Sequence, residues 1–229
     1  MIKSILFDFN GVIVDDEGIQ REIYKELLAA EGVEMTDEDY AASHGMDDET
    51  FVRAAYERKG KTVDDAKSEE IIAAKFAKWR EVVGDNLPLF PGIGDFVEKM
   101  SHEFALGVVS MEKRHQIEWI LEQSGLAKHF DVIVSAEDAS ACKPDPVAYR
   151  IGFNKIDAAR TARGHLPMTH AECLVIEDTA AGVKAARNAD LPALGVTNTV
   201  DAATLRAAGA GAIAADLRDW MPESLRRVF

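Results

Sequence analysis

The chain has few cysteines, no long hydrophobic run and no excess of basic residues. Its two cysteines, Cys142 and Cys173, cannot form a disulfide framework, so we expect a reducing, cytoplasmic compartment. No stretch approaches the roughly 18 apolar residues of a membrane span, and no basic-then-apolar targeting segment precedes the first apolar run at Ile5. We therefore expect no membrane partner.

Basic residues are outnumbered by acidic ones, 26 to 40, which gives a formal net charge of −14. The acidic residues are spread along the chain, so nucleic acid and anionic membrane surfaces are poor partners. An anionic substrate would need local positive features, such as a lysine, a metal ion or helix N-termini. We expect a monomer or weak dimer that binds a small molecule.

The pattern of apolar residues changes along the chain. The stretch "ILFDFNGVIVDD" is typical of a buried strand that ends at Asp8, because the apolar run stops there and an Asn-Gly turn signal follows. A charged, helical segment comes next, and short apolar strands then alternate with helices, which favours a parallel sheet covered on both faces. We predict an α/β protein with a Rossmann-like doubly wound parallel sheet at residues 1–14 and 84–229. Residues 15–83 form an inserted α-helical domain in this prediction.

Polar side chains end three of the predicted strands. Asp8 follows "ILF", Ser110 follows "LGVV", and Glu177 and Asp178 follow "CLVI", while Lys143 lies in the loop after "FDVIVS". Each residue alone has a structural explanation: a turn cap, a helix cap, or in the case of Lys143 a solvated loop charge. If Lys143 binds phosphate from an exposed loop, its replacement is expected to impair function and to leave the fold intact. Together they should meet at the carboxyl edge of the sheet, where open α/β sheets place their sites.

This combination of residues suits phosphoryl transfer. Asp8 and Asp178 would supply oxygen ligands to Mg²⁺, a cation that typically uses one or two carboxylates. Lys143 and Ser110 would hold phosphate oxygens and offset the repulsion between an anionic nucleophile and its substrate. Asp8 could then attack phosphorus directly.

The motifs "DFNGV", "VVS", "KPDP" and "IEDTAAG" occur in the order seen in the haloacid dehalogenase superfamily. The chain resembles its branch of β-phosphoglucomutase-like and phosphoglycolate-phosphatase-like hydrolases. The resemblance implies a nucleophilic Asp8 and Mg²⁺ bound by Asp8, the backbone carbonyl of Asn10 and Asp178, with Glu177 in support. It also implies a small phosphorylated metabolite as the binding partner.

By the same resemblance, the helices at 15–83 are a cap that closes over the site and selects the substrate. The loop "SHGMDDET" is the expected specificity loop, and Gln20, Gly45 and Met46 are the expected substrate-binding residues of the cap. Many relatives have His at the position of Gln20, and the mutases carry in this loop an Arg that holds a second phosphate. This loop is acidic instead, which favours a monophosphate hydrolase over a sugar-bisphosphate mutase.

Asn10 is the main departure from the family pattern. Most phosphatases of the family carry Asp there, which protonates the leaving oxygen and later activates water. An amide cannot take up a proton at neutral pH, and general acid–base help is worth about 10²- to 10⁴-fold, so we expect slow chemistry with metal and ligand binding intact.

Three further interpretations of Asn10 stay open at this point. One is a weakly active or non-catalytic protein that binds phosphorylated ligands, another is a phosphomutase-like enzyme, and a third is an Asn introduced by design to trap a complex. The polar stretch "RTARGHLPMTH" is expected to be an exposed loop extension.

Overall fold

The computed structural model describes all 229 residues. Six parallel strands form one sheet in the order β3-β2-β1-β4-β5-β6. The strands are β1 (Ser4–Phe7), β2 (Ala105–Val109), β3 (Val132–Val134), β4 (Cys173–Glu177), β5 (Ala193–Val196) and β6 (Ala212–Ala214). The helices are α1 (Glu17–Ala30), α2 (Asp37–Ala41), α3 (Asp48–Arg58), α4 (Asp65–Val83), α5 (Ile93–Ser101), α6 (Arg114–Gln123), α7 (Val147–Ala162), α8 (Ala180–Asn188), α9 (Ala202–Ala208) and α10 (Pro222–Val228).

The sheet is buried on both faces. In β1, Ile5 and Phe7 belong to one apolar cluster with α5 and α6, whereas Leu6 belongs to a second cluster that includes Tyr149 of α7. A strand whose successive side chains enter two cores is apolar on both faces, which explains the continuous run "ILF" at Ile5–Phe7. The predicted doubly wound parallel α/β fold is confirmed.

The helices α1–α4 lie between β1 and α5 in the chain, and we call them the helical segment. They pack on one another through a separate apolar cluster that includes Tyr24, Phe51 and Ile72. Ile23 and Trp79 of the same helices join the main core of the sheet instead. The short α2 was not expected from the sequence, and the division into domains at 15–83 stays a prediction.

The stretch "RTARGHLPMTH" at 160–170, which was expected to be an exposed loop extension, is only partly an exposed loop. Its first three residues complete α7, and both Arg160 and Met168 are buried. The Met168 backbone N–H donates to Asp157 Oδ1 at 2.9 Å, and the Ser4 hydroxyl lies 3.2 Å from the Met168 sulfur. These contacts hold Met168 against α7 and β1. No helix of the protein combines the length and the apolar character needed to cross a bilayer.

Candidate active site

A cleft of about 660 Å³, partly open to solvent, lies between the carboxyl edge of the sheet and the helical segment. The predicted site residues Asp8, Asn10, Ser110 and Lys143 line it from the sheet side. The predicted substrate-binding residues line it from the helical side, and they are Gln20, Gly45 and Met46. The structure thus brings all seven of these residues around one space.

Lys143 is the positive charge at the bottom of this cleft. Its ammonium lies 2.8 Å from Asp8 Oδ1 and 2.7 Å from Glu177 Oε1, and only 2% of its side chain is exposed. Burial alone lowers the pKa of Lys143, but Asp8 and Glu177 outweigh burial and the net pKa is raised. The alternative of a solvated loop charge is therefore wrong. The expectation that replacing Lys143 leaves the fold intact assumed little burial, which this environment contradicts. The error arose because sequence does not show that the loop folds inward onto two carboxylates.

Asp8, Glu177 and Asp178 form a group that we call the acidic triad. A carboxylate oxygen from each lies within 4.8 Å of the others. Burial, followed by the charge of Glu177, raises the pKa of Asp8 to about 7, although Lys143 opposes the shift. Burial and the same neighbouring carboxylates raise the pKa of Asp178 well above its usual value. Three carboxylates against one ammonium leave a formal excess of two negative charges in a buried place.

The acidic triad suits a divalent cation in its charge and in its free ligand atoms. Asp178 is fully buried and its Oδ1 has no hydrogen-bond partner, while its other oxygen accepts from the Thr199 hydroxyl. An unpaired carboxylate oxygen in such a place is costly unless a cation or a proton meets it. The oxygen donors are the type that Mg²⁺ prefers.

Glu177 differs from the other two members of the triad because its oxygens are already occupied. Five groups donate to them, namely the Lys143 ammonium, the Tyr149 hydroxyl, the backbone N–H groups of Asp178 and Thr179, and the Thr179 hydroxyl. Glu177 therefore suits a supporting role, in which it fixes Lys143 and the turn that carries Asp178.

The turn after Asp8 requires glycine at position 11. Gly11 has φ of +77°, and a Cβ built there would lie 1.8 Å from Asp178 Oδ2. The side-chain amide of Asn198, beyond β5, donates to the Gly11 carbonyl at 2.7 Å and holds the turn from the opposite side. This close approach brings the backbone that follows Asp8 directly against Asp178.

Asn10 donates its side-chain amide to Asp16 Oδ1 at 3.0 Å. Asp16 is 1% exposed, and its other oxygen accepts from Trp79 Nε1 at 2.8 Å and from Gln20 Nε2 at 3.0 Å. Burial raises the pKa of Asp16 to about 6, although the hydrogen bonds from Asn10 and Gln20 oppose the shift.

Gln20 lines the cleft, but its amide is engaged by protein groups. Besides Asp16, its Nε2 donates to Glu112 Oε1 at 3.0 Å, and its Oε1 accepts from Lys75 at 3.3 Å. Lys75, which is 2% exposed, also contacts Asp48 at 2.9 Å and Glu112 at 3.0 Å. Lys75, Asp48, Glu112 and Gln20 are called the Lys75 cluster below. It joins three helices of the helical segment to the loop after β2.

Glu112 of the Lys75 cluster faces the cleft as an additional carboxylate. Burial raises its pKa to about 7, although Lys75 opposes the shift and Asp48 adds to it. Burial alone lowers the pKa of Lys75, yet Asp48 and Glu112 outweigh it and raise the net value. Lys75, the one buried lysine of the helical segment, is therefore already paired with these two carboxylates.

The loop "SHGMDDET" meets the sheet edge at Gly45, which has φ of +95°. A Cβ at this position would lie 2.9 Å from Ala181 Cβ and 3.1 Å from Lys143 Cβ, so the loop backbone rests directly on the first turn of α8 and on the loop that carries Lys143. Met46 follows it and packs against the apolar cluster of the helical segment. The loop expected to select the substrate is thus held close to Lys143.

Several residues that shape the site were missed in the sequence. Lys75 shares a helical stripe with Ile71, Ile72 and Trp79, and a lysine on an apolar stripe is a detectable signal. Thr199 follows β5 at the same sheet edge as Asp8, so the strand-end argument applies to it as well. Asp16, Glu112 and Tyr149 carried no comparable signal.

Comparison with known proteins gives consistent results. A family model described as haloacid dehalogenase-like hydrolase matches residues 5–196. Protein SUPPRESSOR OF QUENCHING 1, chloroplastic, of Arabidopsis thaliana is 31% identical over 223 residues, covering 94% of this chain and 20% of that protein, so the chain spans about one fifth of this relative. Validoxylamine A 7'-phosphate phosphatase of Streptomyces hygroscopicus subsp. limoneus is 29% identical over 213 residues, 90% of either chain. The crystal structure of β-phosphoglucomutase from Clostridium difficile matches the fold with a TM-score of 0.83 at 19% identity, covering 100% of this chain and 97% of that one.

Proposed function

The chain belongs to the haloacid dehalogenase-like hydrolase family, and from that premise we propose that it is a Mg²⁺-dependent phosphatase acting on a small organic phosphate monoester. The observation that carries this proposal is the position of Asp8. Its carboxylate lies at a strand end in a cleft, 2.8 Å from the Lys143 ammonium and within 4.8 Å of Glu177 and Asp178. A carboxylate so placed can act as a nucleophile toward phosphorus.

The metal would be held by Asp8, Asp178 and the backbone carbonyl of Asn10, with Glu177 in support. When bound, Mg²⁺ would supply positive charge that offsets the repulsion between phosphate and carboxylates. Lys143 and Ser110 contribute from the protein side by binding the phosphate oxygens. Both side chains are buried, and the lower dielectric around them strengthens these contacts.

The reaction has two displacements at phosphorus. An oxygen of Asp8 forms a bond to phosphorus while the bond to the alkoxide leaving group breaks, which gives an aspartyl-phosphate. Water then attacks the same phosphorus, the bond to the Asp8 oxygen breaks, and inorganic phosphate leaves. The alkoxide needs a proton in the first displacement and the water must lose one in the second. Asn10 can neither give the first proton nor take up the second. The proposal therefore includes slow turnover, most of all with poor leaving groups.

A single phosphate fits this cleft better than two. Glu17 and Asp48 line the helical side, Glu112 lies next to Asp48 on the loop after β2, and the Lys75 ammonium is already paired with Asp48 and Glu112. A second phosphate there would face these carboxylates, and Lys143 on the sheet side is the only lysine or arginine that lines the cleft. This observation favours a monoester phosphatase over a phosphomutase that works on a bisphosphate.

The test is a phosphate-release screen over sugar phosphates, phosphoglycolate and nucleotides, with Mg²⁺ or with a chelator. The variant Asp8→Asn should abolish turnover because it removes the nucleophile. The variant Asp178→Asn should chiefly raise the Mg²⁺ concentration needed, because Asp178 is a ligand only. If Asp8→Asn keeps full activity, covalent catalysis at Asp8 is wrong.

The same screen separates an enzyme from a binding protein. Release that does not exceed the Asp8→Asn background for any substrate, together with measurable binding of a phosphorylated ligand, would favour the binding protein. Release that depends on both Mg²⁺ and Asp8 would support the phosphatase.

A further inference from the structure

Asp16 is a buried carboxylate placed directly behind the unusual Asn10. Its hydrogen bonds divide between its two oxygens: Oδ1 accepts from Asn10, and Oδ2 accepts from Trp79 and Gln20. All three donors are neutral side chains. Asp16 itself does not line the cleft, whereas Asn10 does. The carboxylate can therefore influence substrate only through the two lining residues that it holds, Asn10 and Gln20, and Asn10 is the one that follows Asp8 in the same turn.

The chemistry of the pair fixes the orientation of the Asn10 amide. Asp16 is the acceptor in all three of its contacts, and the Asn10 amide nitrogen lies 3.0 Å from Asp16 Oδ1, so Asn10 turns its NH₂ group toward Asp16. The amide oxygen of Asn10 is then the atom left for the cleft. A hydrogen-bond acceptor beside Asp8 can orient the O–H of an attacking water, whereas an NH₂ group there would compete for the lone pair that attacks.

We propose that Asp16 is a positioning residue, which holds the Asn10 amide with its oxygen offered to the cleft, and that residues 10 and 16 work as one carboxylate–amide pair. This inference rests on the proposed function. It assigns to the pair the orientation of the hydrolytic water, and it leaves protonation of the leaving group unassisted.

The geometry predicts how each single substitution, at residue 16 or at residue 10, changes the hydrogen bonds of the pair. In Asp16→Asn, the new amide oxygen is expected to keep the two donors Trp79 and Gln20, so the new NH₂ faces Asn10. Asn10 must then rotate, which brings its NH₂ into the cleft. In Asn10→Asp, two carboxylates face each other across the present 3.0 Å contact with no donor between them.

The double exchange, Asn10→Asp with Asp16→Asn, restores every hydrogen bond. The NH₂ of the residue at 16 would donate to the carboxylate at 10, and Trp79 and Gln20 would keep their acceptor. A carboxylate would now stand in the cleft at position 10, held in place. The structure thus predicts strong coupling between two substitutions that look independent in the sequence.

The experiment is a double-mutant cycle on residues 10 and 16, assayed at pH 8 with Mg²⁺ on an alkyl and an aryl phosphate. Asp16→Asn should lower kcat about tenfold with little change in KM, and Asn10→Asp alone should gain little. The double variant should exceed Asn10→Asp by about tenfold or more, with the larger gain on the alkyl phosphate. The matched control is Asp157→Asn, which should leave the rate unchanged. It makes the same type of change at a carboxylate that accepts from the Met168 backbone N–H.

Urea unfolding of the same four proteins gives a readout that needs no activity. Asn10→Asp should be clearly destabilising beside Asp16 and nearly neutral beside Asn at position 16. If Asn10→Asp has the same effect on rate and on stability in both backgrounds, residues 10 and 16 are independent and the inference is overturned. If no form releases phosphate above Asp8→Asn, the proposed function and the positioning role are both overturned. In that case the unfolding cycle still supports or overturns the pairing by itself.

Discussion

Replacing Lys143 with methionine should destabilise the protein strongly, because its ammonium is the only cation that contacts the buried carboxylates of Asp8 and Glu177. The variant Lys143→Met keeps most of the aliphatic length but leaves Asp8 and Glu177 without their contacts of 2.8 and 2.7 Å. Removing one partner of a buried ion pair costs about 3–5 kcal/mol. For a chain of this size that corresponds to a fall in melting temperature of about 6 to 20 °C.

Thermal unfolding followed by circular dichroism measures this loss, and Mg²⁺ adds a second test. A divalent cation at the acidic triad offsets part of the uncompensated charge, so Mg²⁺ should stabilise Lys143→Met more than the unmodified protein. Lys155→Met is the matched control, since Lys155 makes one ion pair of 2.8 Å with Asp138 but is 40% exposed. Exposed pairs contribute at most about 1 kcal/mol, so the control should lose little.

A melting temperature for Lys143→Met within the range of the control would refute this reasoning. It would mean that the folded protein tolerates the buried carboxylates of Asp8 and Glu177 without the ammonium. A normal melting temperature combined with lost activity would leave Lys143 with a purely functional role.

Two further predictions concern acid stability and thiol reactivity. Burial raises the pKa of Asp138, but Lys155, the Ser135 backbone N–H and Arg114 outweigh it and lower the pKa to about 2. The contribution of the Asp138 carboxylate to the free energy of unfolding is thus present above about pH 4 and is lost as the pH falls toward 2. The melting temperatures of Asp138→Asn and the unmodified protein should therefore differ above pH 4 and converge by about pH 2. Burial raises the pKa of the Cys173 thiol to about 12, so iodoacetamide should modify only the partly exposed Cys142 until denaturant is added; mass spectrometry that finds native Cys173 alkylated as fast as Cys142 would contradict this.

The strand-end residues of the site could be predicted from sequence because two simple rules place them. An apolar run that stops at a polar residue marks a strand end, and parallel strands bring those ends to one edge. Both rules are local or topological, and they were sufficient for Asp8, Ser110 and Asp178. Lys143 was assigned to the same edge, but its burial depends on a loop conformation that no local rule describes.

The contacts behind Asn10 could not be predicted in the same way. Asp16 meets Trp79 across 63 positions of the chain, and Lys75 meets Glu112 across 37. Such pairs depend on how α1 and α4 rest against the sheet edge, which is set by the sum of many apolar contacts. Asp16 also has the sequence appearance of an ordinary helix cap, since it directly precedes α1, although its side chain makes no capping hydrogen bond.

The distribution of charge around the cleft gives a substrate only one favourable orientation under the proposed function. On the sheet side, Lys143 and the metal ligands would receive a phosphate, and the acidic triad is electrostatically incomplete without added positive charge. Where the helical side meets the loop after β2, Asp48 and Glu112 leave one formal excess negative charge after pairing with Lys75, and Glu17 adds another. A phosphate bound there would be repelled, whereas hydroxyl groups of an organic moiety could donate to these carboxylates. The phosphate must therefore point to Asp8 and the organic group to the helices. This is the orientation in which the leaving oxygen lies next to Asn10, so the choice of amide or carboxylate at that position decides how the leaving group obtains its proton.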